Sequence, residues 1–167
     1  MFSWLDRLQP FGGETGGQAG HGAADDVGGR ALQRRVDGGA LVMRLVLGTI
    51  MVAHGYSKII PRGALYNFTQ FVAHLGLPPW LGYLAAFTEF FGGMLLILGL
   101  LARVAALLTA IDMGVAIVKV HLHGGLTGHN GQGGFEYPLA LLAVSLMLVF
   151  TGAGLLSLDR AVGKGRL

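Results

Sequence analysis

The chain has 167 residues, of which 53% are hydrophobic and only 13% charged, and it carries a net charge of +3. A soluble domain has about 25% charged residues, so charge is too sparse here to clothe a water-facing surface. The absence of cysteine excludes disulfides, thiolate metal sites and iron–sulfur clusters built on this chain.

Residues 1–38 differ in composition from the rest of the chain. Phe2, Trp4, Leu5 and Leu8 could touch a membrane surface, and the Gly-rich run 12–29 has little to bury. The expectation is a flexible cytoplasmic tail, disordered over that run. No apolar core of a signal peptide follows the start. Residues 39–160 are expected to form the membrane domain, and 161–167 a short basic tail.

Beyond the tail lie four apolar runs, at 39–60, 80–101, 103–121 and 136–157. Each approaches the roughly 20 residues that cross a bilayer as a helix. In lipid the backbone must satisfy its own hydrogen bonds, so helices are the expected form. The expected fold is all-α: a bundle of four transmembrane helices with a short interfacial helix and a disordered N-terminal tail. That short helix is predicted in the 61–79 link, where Leu65, Phe68, Val72 and Leu75 recur at helical spacing until Pro78 and Pro79 stop it. Spans two and three should form a tight hairpin at Ala102–Arg103. Arg7, Arg30, Arg34, Arg35, Arg103, Arg160, Lys164 and Arg166 fall on one side of the spans, against Lys58, Arg62 and Lys119 on the other. By the positive-inside rule both termini are cytoplasmic. The basic residues form no stripe with interleaved aromatics, so no nucleic-acid partner is expected. The lipid bilayer is the expected partner.

Ionisable residues within the spans are the informative ones, because each needs a partner, a cavity or neutralisation. Counting from 80 to 89 and from 103 to 112 puts Glu89 and Asp112 near the bilayer middle, entering from opposite sides. His54, Lys58, Lys119, His121 and Glu136 lie toward the outer end, with Arg44 and Arg103 as supporting charges nearer the cytoplasm. Asp112, Ala116, Lys119 and His123 share one helix face, and His121 should point away from it. Arg44, Gly48, Met51 and Gly55 form a stripe on the first span. Gly92 and Gly93 follow Glu89, so a neighbouring helix can approach the buried acid closely. Glu89 is expected to meet the first helix between Arg44 and His54. This set is either an inward-facing stabilising network, pairing the acids with Arg44, His54 or Lys119, or the polar wall of a functional cavity. His121-x-His123 with His129 is a weak metal pattern, because two imidazoles two residues apart diverge on a helix. No metal site is expected.

The runs RLVLGTIMVAHGYSKI (44–59), LGLPPWLGYLAAFTEFFGGMLLILGLLARVAALLTAIDMGVAIVKVH (75–121) and GGFEYPLALLAVSLMLVFTGAGLLSLD (133–159) resemble DoxX-like membrane proteins. The resemblance implies a four-helix protein of the bacterial inner membrane. The family is named after a small subunit linked to an archaeal thiosulfate:quinone oxidoreductase. Its polar positions correspond here to His54, Lys58, Glu89, Arg103, His121 and Glu136, with no catalytic role carried over to them. The first functional expectation is a membrane subunit of a quinone-linked redox system. The chain has no redox cofactor of its own, so a partner protein would supply electrons, and quinone is the one cofactor suggested. The alternative is a non-enzymatic scaffold, or a protein that handles lipid or small solutes, whose intramembrane charges are structural.

Overall fold

The computed structural model describes residues 16–129 and 133–163, with side chains from Val27 onward. The expectations for Phe2, Trp4, Leu5 and Leu8, and for the basic tail after Gly163, lie outside the described residues. The described residues are mostly helical and contain no strand. The chain divides into two units, residues 1–34 and 35–167.

Helix α1 runs Gly16–Ile59. Its start corrects the expectation of disorder over residues 12–29, because residues 16–29 are helical. Glycine weakens a helix, but extending an existing helix avoids the cost of nucleating a new one, and Ala19, Ala23 and Ala24 favour propagation.

In the second unit, α2 is Ala64–His74. Its stop differs from the expected one. Gly76, in the left-handed region at φ 74°, ends the helix ahead of the prolines. Pro78 and Pro79 instead open the next helix, their carbonyls accepting from Leu81 and Gly82 at 3.0 Å each. Helix α3 spans Trp80–Leu98 and α4 spans Ala102–Gly124. Each carries a π-helical turn, Thr88–Gly92 in α3 and Ile117–His121 in α4. Helix α5 is Glu136–Thr151, and α6 is the short turn Leu158–Ala161.

Among the described residues, three helices are long and apolar enough to cross a membrane: Val27–Ile59 within α1, then α3 and α4. Helix α5 is apolar but has 16 residues, short of the expected run to 157. It stops because Gly152 and Gly154 take left-handed φ of 79° and 67° and the chain unwinds.

The packing is that of a protein bathed in lipid. Helix α4 turns Ala102, Ala105, Ala106, Thr109 and Ala110 inward and leaves Val104, Leu107, Ile111, Val115 and Val118 on the outside. Small inside and large outside suits a bundle held by close helix contact rather than by water-driven burial. The tightest crossing is α1 on α3. A Cβ on Gly93 would lie 2.7 Å from the Val52 nitrogen, and one on Gly48 would lie 2.8 Å from the Gly93 carbonyl. Arg44, Gly48, Met51 and Gly55, the predicted stripe, share this packed face: Arg44 and Met51 are 1% exposed, and Gly55 faces the Phe90 backbone.

A polar lock closes one end. Arg44 donates to the carbonyls of Ala153 at 2.6 Å and Leu156 at 3.0 Å. These are carbonyls freed by the unwinding after α5. The backbone nitrogens of Leu101 and Ala102, at the start of α4, donate to the Asp159 carboxylate at 2.7 and 3.0 Å. Arg160 pairs with Asp37 at 3.0 Å. Arg44 is therefore committed away from Glu89, which removes it from the partners that the stabilising-network reading offered the acids.

Candidate functional site

Toward the other end of the same helices lies a cavity of about 450 Å³. The last turns of α1 bring His54 and Lys58 to it. Glu89 reaches it from the π turn of α3, Asp112 from α4, and Lys119 and His121 from the π turn of α4. Helix α2 adds Phe68, Val72 and Leu75, so this amphipathic helix covers the cavity with its apolar face. Tyr137 and Pro138, from the start of α5, complete the wall.

At the centre, the Lys58 ammonium donates to Glu89 Oε1 in a short ion pair. Glu89 is 3% exposed, which is tolerable for a carboxylate only with such a partner. Lys58 also lies 4.4 Å from the centroid of the Phe68 ring, a cation–π contact that ties α2 to the pair. Asp112 lines the same cavity as Glu89 and Lys58. Buried Glu89 Oε2 and Asp112 Oδ2 find no donor among the described residues. Beside them the Tyr137 hydroxyl meets His54 Nε2 at 3.2 Å, and the two rings stack with centroids 5.9 Å apart.

The sequence-predicted residues fare differently. His54, Lys58, Glu89, Asp112, Lys119 and His121 all line the one cavity. Glu136 does not. It is exposed at the first turn of α5, where a carboxylate complements the helix dipole. Arg103 is exposed and rests against Gly152, and Arg44 belongs to the lock at the far end. Glu89 meets α1 one turn beyond the expected point, at Lys58 rather than between Arg44 and His54. His121 was expected to face away from Asp112. The π turn inserts an extra residue and rotates the rest of the helix by about 100°, which brings His121 to the cavity wall. Its Nδ1 lies 3.2 Å from the Gly133 carbonyl. His123 does not line the cavity, and no cluster of metal-ligating residues occurs among the described residues.

Tyr137 escaped sequence reasoning. An aromatic residue at the head of an apolar run reads as an interfacial anchor. Only its neighbour Glu136 signalled a polar entry to the span. Chemically, the arrangement offers donors (the Lys58 ammonium and the Tyr137 hydroxyl), buried acceptors with spare lone pairs, and flat aromatic and aliphatic walls.

Comparison with known proteins agrees with this architecture. The DoxX family model matches residues 39–122, which include every predicted cavity residue from His54 to His121. The chain is similar to "Putative oxidoreductase CatD" of Bacillus subtilis (strain 168), with 34% identity over 77% of this chain and 90% of that protein. It is also similar to "Inner membrane protein YqjF" of Escherichia coli (strain K12), with 28% identity over 80% of this chain and 98% of that protein. No solved structure matches the chain. With its family model covering the cavity residues from Met51 to His121, and three of the described helices apolar enough to cross a bilayer, the chain belongs to the DoxX family of membrane proteins.

Proposed function

We propose that the protein crosses the bacterial inner membrane four times, with both termini cytoplasmic, and that its cavity binds the headgroup of a quinone within a redox system. One observation carries this proposal: six ionisable residues from three helices, joined by Tyr137, converge on a single cavity with otherwise apolar walls. The volume of about 450 Å³ falls within the range of small-molecule sites, roughly 300–1,000 Å³. The inner-membrane name of the Escherichia coli relative and the oxidoreductase name of the Bacillus relative support the same direction. The fourth crossing is α5 extended by the unwound segment 152–157, in which the carbonyls of Ala153 and Leu156 accept from Arg44 rather than from helix bonds.

The residues present fit such a headgroup. A quinone ring needs donors for its two carbonyls and an apolar slot for its faces. Lys58 has ammonium protons beyond the one it gives Glu89, and the Tyr137–His54 pair supplies a second donor. Phe68, Leu81 and Leu84 form apolar wall. When bound, the quinone would supply electron acceptance, with electrons delivered by a partner protein. The chain itself would bind the ring, exclude bulk water with α2, and hold exchangeable protons beside it. The test is quinone reduction by the purified protein with candidate electron-donating partners. Glu89→Gln and His54→Ala are each expected to lower the rate at least ~10-fold, as loss of a charged or orienting group does. Full activity in both variants would remove this site from the function.

The Lys58–Glu89 ion pair favours a second reading, a scaffold or a lipid- or solute-handling protein in which the charges only stabilise the bundle. That reading wins if Glu89→Gln lowers thermal stability in detergent while every quinone-dependent activity is intact.

A further inference from the structure

Two buried oxygens, Glu89 Oε2 and Asp112 Oδ2, have no hydrogen-bond donor among the described residues. The residues that bear them line the same cavity. Ionised carboxylates are acceptors only, so two of them in one cavity repel and leave both oxygens bare. One proton between them makes one carboxyl a donor and satisfies both. From this juxtaposition we propose that Glu89 and Asp112 form a proton-exchanging pair that keeps one proton at the cavity wall, for transfer to or from the occupant of the cavity.

Charge bookkeeping supports the assignment. Lys58 supplies one positive charge to the cluster, and two ionised carboxyls would supply two negative ones. A buried cluster with an uncompensated charge is costly in a bilayer, and one retained proton brings the sum to zero. The other titratable groups facing the pair do not change this count. Lys119, from α4, also lines the cavity, but among the described residues it makes no ion pair with either acid and its side chain is exposed toward the end of its helix. His54, from α1, is engaged with Tyr137 of α5, and His121 lies against the Gly133 carbonyl. Helices α2 and α3 add Phe68, Val72, Leu75, Leu81 and Thr88 to the wall, none of them titratable. The His54–Tyr137 contact lies on the same wall and offers a hydrogen-bonded group through which the proton can be replaced. The pair shares its cavity with the quinone reading and gives that reading a proton source, but it does not require a quinone.

The experiment is infrared spectroscopy of the purified full-length protein in bilayers at neutral pH, reading the C=O stretch of a protonated carboxyl. Wild type is expected to show one such band, shifted in D2O. Asp112→Asn should abolish it, and Asp112→Glu should retain it. The discriminating variant is Glu89→Gln, which leaves Asp112 in place. The band should vanish there too, because Lys58 then balances Asp112 alone. Lys58→Met removes the positive charge and should raise the band about two-fold, as both carboxyls become neutral. A wild-type spectrum without the band, a band undiminished in Glu89→Gln, or an unchanged band in Lys58→Met would each overturn the proposal. Because no quinone is present, a normal band with no quinone reduction refutes the quinone reading alone.

Discussion

Arg44 and Lys58 sit on the same helix and serve opposite ends of the molecule. Arg44 is 1% exposed and holds two carbonyls that no helix bond satisfies. Truncating it to alanine should cost about 2–4 kcal/mol, since two charge-assisted hydrogen bonds are lost and their acceptors stay buried. Chemical unfolding in detergent micelles measures this, and a cost below half the lower figure would mean that the lock is ornamental. The sequence flagged both residues by their charge inside an apolar run. It did not reveal their partners, because depth counted along one helix ignores where neighbouring helices unwind and cross. Arg44 found the unwound segment 153–156, which no periodicity announced, and this left Glu89 to Lys58. Tyr137 was hidden for the opposite reason, in that its position already had an ordinary explanation at the membrane interface.

Helix α3 owes its placement to glycine. Gly93 lies one turn after Glu89 and lets the α1 backbone come within contact, so it helps fix where the acid enters the cavity. Gly93→Ala would put a methyl 2.7 Å from the Val52 nitrogen and 2.8 Å from the Gly48 carbonyl, neither of which can swing aside. The expected loss is about 1–3 kcal/mol, the usual cost of overpacking. Gly114→Ala, with nothing within 4 Å of the new methyl, is the control and should be neutral or gain up to ~1 kcal/mol of helix propensity. Equal effects in the two variants, read by thermal unfolding, would show that close approach is not what Gly93 provides. Of the elements, the long apolar helices and the amphipathic α2 were legible from period and composition. The two π turns were not, because a single extra residue in a turn leaves no compositional trace. The end of α5 was missed because Gly152 and Gly154 fall within the apolar run 136–157, whereas they take positive φ and end the helix.

At the scale of the whole molecule, a polar lock at one end and a polar cavity toward the other are separated by an apolar core that includes Ala105, Ala106, Leu96 and Leu148. Such an arrangement gathers the ionisable cavity residues toward one end of the helices. The quinone proposal places a headgroup between α1, α3, α4 and the start of α5, beneath α2. A photoactivatable short-chain quinone analogue, cross-linked to the protein in bilayers and mapped by peptide mass spectrometry, tests this most directly. The account predicts label on cavity residues such as Met51, Leu81 and Tyr137, competed away by unlabelled quinone and reduced in Glu89→Gln. Label confined to outward-facing residues such as Val104 and Phe150, indifferent to competitor and to Glu89, would contradict it.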